Sequence, residues 1–178
     1  MRPKSLITHS VLNELAETAR QVPPGDFVEV GVYQGGSAWV LGGVAREQGR
    51  KLWLFDTFSG MPYADLSIDH HRKGEFGDTS EEKVREAIPD AILVPGVFPK
   101  TLKDAIGLGL ESIALAHIDC DQYKSVRACC SQLGPLMMPG GVMIIDDYDA
   151  LEGARKAVAE VFNGRVEISP QGKARVRF

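Results

Sequence analysis

The chain has 178 residues, 44% of them hydrophobic and 25% charged, which is enough apolar material to bury one core and calls for no second domain. A net charge of −4 leaves no broad basic footprint for nucleic acid, and no apolar run is long enough to span a bilayer. The N-terminal stretch MRPKSLITHSVLNELAE is broken by polar residues every few positions, unlike a secretion signal, so a cytoplasmic protein is expected. The three cysteines, Cys120, Cys129 and Cys130, are odd in number and lack the paired spacing of a zinc site. They read as small packing residues in a reducing compartment, with Cys120 open to oxidation if it is exposed.

In chain order, Val11, Leu12, Leu15, Ala19 and Val22 recur at helical spacing until Pro23-Pro24-Gly25 stops the helix. FVEVGV (27–32) is the first strand, the glycine-rich turn YQGGS (33–37) opens a helix through about Gln48, and KLWLFD (51–56) is the second strand. The connection 57–78 is too long for an ordinary strand-to-helix loop and is expected to be functional or mobile. Thr79 and Glu82 form a T-x-x-E capping box before KVREAI, and AILVPG (91–96) is a short third strand. IALAHID (113–119), a helix over about 124–133, the turn MPGG (138–141) and VMIID (142–146) follow. A helix over about 151–162 ends near Gly164, and RVEISP and KARVRF form a terminal antiparallel hairpin around Gln171-Gly172. Strands alternating with helices predict an α/β domain with a mostly parallel sheet.

A parallel sheet aligns the C-terminal ends of its strands, where such sheets bind ligands. Asp119, Asp146 and Asp147 each end a strand-like run, so the topology can gather three carboxylates into a divalent-metal site. Gly31 permits a tight strand-to-helix turn, while Gly35 and Gly36 would let a ligand approach the backbone of the next helix. The spacing lacks the G-x-G-x-x-G of dinucleotide binders, and no P-loop lysine appears, which counts against NAD(P) and nucleoside triphosphates. Glu29, just inside the first strand, suits a cofactor with a cationic amino group, and Asp56, ending the second, suits the hydroxyls of a ribose. Together they suggest S-adenosylmethionine.

Five blocks, EVGVYQGGS, LFDTFSGMP, GVFPKTL, HIDCDQYKS and PGGVMIIDDY, occur in an order that resembles the macrocin O-methyltransferase (TylF/MycF-like) family over about residues 25–162. The resemblance implies a Rossmann-like class I methyltransferase fold, a mostly parallel seven-stranded sheet with its last strand antiparallel and helices on both faces. It also implies magnesium-dependent O-methylation of a small-molecule hydroxyl, on sugars of natural products in characterised members. Carried over, it places Glu29, Gly31, Gly35, Gly36, Ser37 and Asp56 at the cofactor, with Ser59 as a further contact. Asp119, Asp146 and Asp147 would hold the metal, with Asp121 the alternative third ligand. Oxygen ligands suit Mg²⁺ or Mn²⁺ rather than zinc. The region before the first strand, 1–24, is a shortened N-terminal helix and lid compared with the family, which puts a sugar acceptor in question.

Asp119 is the first candidate for the catalytic base, as both ligand and proton acceptor, with His70 and His71 of the long loop as second choices. His117 lies two residues before Asp119 on the same strand face and reads as a hydrogen-bonded core histidine. Trp39 and Trp53 read as core residues, with adenine-flanking positions the alternative, and Met137 and Met138 as packing residues. Competing functions are an NAD(P)-linked oxidoreductase and a non-catalytic cofactor-binding or interaction protein with a degenerate acceptor site; a homodimer is left open.

Overall fold

The computed structural model describes residues 3–178; Met1 and Arg2, at the start of the expected lid region, lie outside the described residues. Helix α1 (His9–Gln21) buries Leu12, Leu15, Ala16 and Ala19 on one stripe and ends just before Pro23-Pro24, which cannot continue its hydrogen-bond ladder. The chain then runs through β1 (Asp26–Val30), α2 (Gly36–Gln48), β2 (Leu52–Asp56), α3 (Glu81–Ala87), β3 (Ile92–Pro95), α4 (Leu102–Gly107) and β4 (Ile113–Ile118). It continues through α5 (Tyr123–Leu133), β5 (Met137–Ile145), α6 (Glu152–Phe162), β6 (Glu167–Ile168) and β7 (Ala174–Arg177). The seven strands form one sheet in the order β3-β2-β1-β4-β5-β7-β6, parallel from β3 to β5, with β7 antiparallel to both its neighbours.

Alternation along the strands divides the interior into two cores. Trp53 and Phe55 of β2 and Val28 and Val30 of β1 pack on the side of α4, α5 and α6. Leu52, Leu54 and Phe27 pack on the side of α1, α2 and α3. The central strands are buried on both faces, which is why their sequences are nearly continuous apolar runs. Glu29 and His117 are fully buried polar residues set into this sheet, and they sit on paired positions of β1 and β4.

Several local expectations need correction. The cap of α3 is Ser80, whose hydroxyl accepts from Lys83 N, because the Thr79 hydroxyl is taken by the carbonyl of Tyr33. The MPGG segment lies inside β5 instead of preceding it: Gly140 N–H donates to Phe178 O at 2.7 Å and Phe178 N–H to Gly141 O at 3.1 Å, so the chain end extends the pairing across the glycines. Helix α6 ends on Asn163 in the left-handed conformation, one residue before the glycine expected to stop it. Trp53 is a core residue whose indole N–H donates to Asp26 at 2.8 Å, but Trp39 is 41% exposed, since the buried stripe of α2 runs through Ala38, Leu41, Val44 and Ala45. Helix α4 went unread because its six residues are too short for a helical period to show. The cysteines are free, with Cys129 and Cys130 buried and Cys120 partly so. Among the described residues no helix is long and apolar enough to cross a membrane.

Candidate functional site

A cavity of about 400 Å³ opens at the C-terminal ends of β1, β2, β4 and β5. Gly31, Gly36, Ser37 and Asp56 line it, together with Asp119, Asp121, Asp146 and Asp147. The turn between β1 and α2 is bound to the end of β2 through Asp56. Its Oδ2 accepts from Val32 N at 2.6 Å and Tyr33 N at 2.9 Å, and its Oδ1 accepts from Phe58 N at 2.8 Å. This carboxylate therefore organises two loops as well as facing the cavity, a role that alternation and strand-end position do not reveal. Gly31 has φ +91°, and a Cβ there would collide with the carbonyl of Asp119, so the first and fourth strands can converge at the site only with glycine at this position.

The open faces of the other two glycines are used by the protein itself. A Cβ on Gly35 would point at Val84 and Ile88 of the α3 region, and one on Gly36 would run into Ser5. Gly36 still lines the cavity, but Gly35 does not appear in its wall. Glu29 is also set back from the cavity: its side chain is fully buried and its Oε1 lies 2.8 Å from His117 Nδ1. Ser59 is exposed and its N–H donates to Thr57 Oγ1, so Thr57 is the residue that faces the cavity there. In each case the physical reason is a nearer protein partner that one sequence cannot show.

The acid cluster forms as the strand ends predicted. Asp119, Asp146 and Asp147 each place a carboxylate oxygen so that all lie within 4.8 Å of one another. Asp146 is buried, and its Oδ1 makes no hydrogen bond, although Lys173 Nζ lies 3.3 Å and His117 Nε2 3.9 Å away. Burial, then repulsion from Asp146, drives the Asp119 carboxyl well above the usual carboxylate range. Burial and a hydrogen bond to Asp147 push Asp121 the same way. Burial alone would keep His117 neutral, but the carboxylates of Asp146 and Glu29 on either side outweigh it and hold its pKa well above the ordinary value. Burial opposes ionisation of Asp146, yet His117 and Lys173 hold its pKa low.

The long connection 57–78 folds over the cavity and is tied down at both ends. Asp69 accepts from Tyr123 N at 2.8 Å, Tyr63 OH meets Ser125 Oγ at 2.8 Å, and the Gln122 side-chain amide donates to the carbonyl of Tyr63. At the other end Tyr33 OH donates to Asp78 at 2.8 Å and the Gln34 amide to the Asp78 carbonyl at 2.8 Å. His71 reaches the cavity wall but is paired with Glu75 at 2.8 Å, while His70 is exposed and outside the wall. Sequence reasoning missed Thr57, the Gly96-Val97-Phe98 segment and Lys173, all of which line the cavity, as do residues 4–8 of the expected lid region. GVFPKTL was visible as a block without a role; nothing in the sequence marked Lys173.

The strand order, the antiparallel β7 and a site at the ends of β1, β2, β4 and β5 define a class I methyltransferase fold. The chain belongs to the macrocin-O-methyltransferase (TylF) family, whose profile matches residues 4–170. It is 33% identical over 165 residues to the 8-demethyl-8-(2,3-dimethoxy-alpha-L-rhamnosyl)-tetracenomycin-C 4'-O-methyltransferase of Streptomyces olivaceus, a match covering 82% of this chain and 60% of that protein. The chain thus spans about 60% of the length of that relative. Its fold is similar to the O-methyltransferase NovP, with a TM-score of 0.82 and 26% identity over 97% of this chain and 81% of that one. It is also similar to an O-methyltransferase from Bacillus cereus solved in complex with SAH, with a TM-score of 0.64 and 15% identity over 98% and 81% of the two chains. None of these resemblances favours the oxidoreductase or the non-catalytic reading.

Proposed function

We propose that this chain is an S-adenosylmethionine-dependent O-methyltransferase that acts on the hydroxyl of a small molecule with the help of Mg²⁺ or Mn²⁺. The observation that carries this reading is the joining, in one cavity, of a glycine turn organised by Asp56 with three carboxylates whose oxygens lie within 4.8 Å. The residues fit both groups. Asp146 Oδ1 is a buried acceptor without a hydrogen bond, as a cation ligand would be, and a 400 Å³ cavity with convergent polar groups falls in the range of small-molecule sites. When bound, S-adenosylmethionine supplies an electrophilic methyl group and the cation acidifies and directs the acceptor hydroxyl.

The chain's own residues would do the rest. Asp56, Gly31, Gly36, Ser37 and Thr57 form the cofactor end, and Asp119, Asp146 and Asp147 hold the cation. Asp119 takes the hydroxyl proton because it is both in the cluster and on the cavity wall. Glu29 and His117 act behind the wall, fixing the Asp146 side of the cluster. Alignment of nucleophile and methyl by such a frame can lower the barrier by roughly 7–11 kcal/mol. Residues 1–178 are taken as one domain, with residues 4–8 and the loop 57–78 covering the site. A glycosylated natural product is the acceptor class suggested by the Streptomyces olivaceus relative.

Calorimetry with S-adenosylmethionine, S-adenosylhomocysteine and NADH, each with and without Mg²⁺, tests the reading. Binding of the first two and not NADH is expected, followed by methyl transfer to a panel of hydroxylated glycosides that stops in excess EDTA. Activity undiminished by EDTA would remove the cation and leave the methyltransferase.

A further inference from the structure

Lys173 is a side chain in the site that the proposed reaction does not yet use. Its position follows from register: β5 and β7 run antiparallel with Ile145 paired to Ala174, so the next step along each strand brings Asp146 opposite Lys173. The hairpin turn that presents it is fixed, since Gln171 N and Lys173 N both donate to Ser169 Oγ at 3.2 Å and Ser169 N donates to Lys173 O at 2.9 Å. Gly172, with φ +78°, packs so closely on Asp149 that a Cβ would collide with that carboxylate. The turn therefore holds the backbone that presents Lys173.

The side chain is only 12% exposed and its Nζ lies 3.3 Å from Asp146 Oδ1, yet that oxygen makes no hydrogen bond. The contact is a close ion pair whose geometry falls short of a well-directed hydrogen bond. A divalent ion coordinated by Asp119, Asp146 and Asp147 would lie within a few ångströms of this ammonium group, where two positive charges repel strongly.

We propose that Lys173 is the built-in counter-cation of the acid cluster: its ammonium holds Asp146 while the cluster is metal-free and competes with the divalent ion for that carboxylate. The proposal rests on the cation reading above. It makes Lys173 a positioning residue that sets how tightly the cluster binds its ion, and it gives a sign that a merely structural lysine would not. Removing a structural support weakens both the fold and the site; removing a competitor weakens the metal-free fold and strengthens the site.

The test is a Mn²⁺ titration followed by electron paramagnetic resonance of the free ion, with melting in EDTA, on wild type, Lys173→Met and Lys173→Arg. Lys173→Met is expected to melt below wild type in EDTA and to bind Mn²⁺ on the order of tenfold more tightly. Lys173→Arg should restore wild-type behaviour in both measurements. If wild type binds Mn²⁺ and Lys173→Met binds it equally or more weakly, the proposal is overturned while the cation reading stands. If wild type binds no Mn²⁺, the cation reading falls and takes this one with it. Should Lys173→Met fail to fold, a Mn²⁺-soaked crystal of wild type decides: an ammonium moved beyond ion-pair distance of Asp146 supports the proposal, and one still paired with it overturns it.

Discussion

At the scale of single residues, the site is built around two carboxylates that do different work. Asp56 is held by three backbone N–H groups, and hydrogen bonds to a charged acceptor contribute about 1.5–3 kcal/mol each. Asp56→Ala should therefore weaken S-adenosylmethionine binding by roughly 10–100-fold, through loss of both its own acceptors and the loop it organises, as read by calorimetry. A folded variant with wild-type affinity would separate Asp56 from the cofactor. Glu29 and His117 are 0% and 1% exposed and bonded to each other, so removing the histidine strands a buried carboxylate. His117→Leu should cost about 3–5 kcal/mol in urea unfolding. The double variant Glu29→Gln, His117→Leu should recover part of that loss, and no recovery would mean that the pair is not coupled.

The elements of the site are joined by contacts that sequence neighbours do not make. Helix α5 has no side-chain cap of its own at Gln122; the acceptor for Tyr123 N comes from Asp69, 54 residues earlier. Asp69→Ala should lower stability by about 0.5–2 kcal/mol, the usual cost of a lost cap, and loosen the long loop with it. Limited proteolysis reports the loop directly. Cleavage within about 63–77 is expected in the ligand-free protein and should slow when S-adenosylmethionine saturates the site, because Met61, Pro62, His71 and Phe76 of this loop line the cavity. Cleavage at the same rate with and without ligand would show that the loop is no lid. In the Asp69→Ala variant it should be faster at the outset.

For the whole molecule, a cation that binds the folded state alone raises stability by mass action. Mg²⁺ or Mn²⁺ at about 100 times its Kd should add about 2.7 kcal/mol and raise the Tm by several degrees. Asp146→Asn should lose that gain while keeping cofactor affinity, because Asp56 is bonded to Val32, Tyr33 and Phe58 and not to the acid cluster. A Tm unchanged by either metal across a millimolar range would argue that the three carboxylates do not share an ion. Lys173 and His117 would then be the cations that offset the charge of Asp146.

What the sequence by itself determined was whatever depends on local pattern and on the rule that parallel strands end together. Alternating runs of strand and helix were enough for the α/β class, the terminal hairpin, the sheet-edge position of Asp119, Asp146 and Asp147, and the turn at Gly31. The tertiary structure decided which partner each polar group finds. Glu29 and Gly35 stood where a cofactor contact was expected, but paired positions on β1 and β4 join Glu29 to His117, and α3 packs over Gly35. Thr57 lines the cavity and Ser59 is exposed, because the turn closes on the Thr57 hydroxyl, which donates to Gly60 O and accepts from Ser59 N. Lys173 carried no local signal at all, since only the antiparallel register of β7 against β5 brings it to Asp146. Local chemistry fixes periodicity and strand ends; partner choice across 27 or more residues depends on packing in three dimensions, which no short-range pattern encodes.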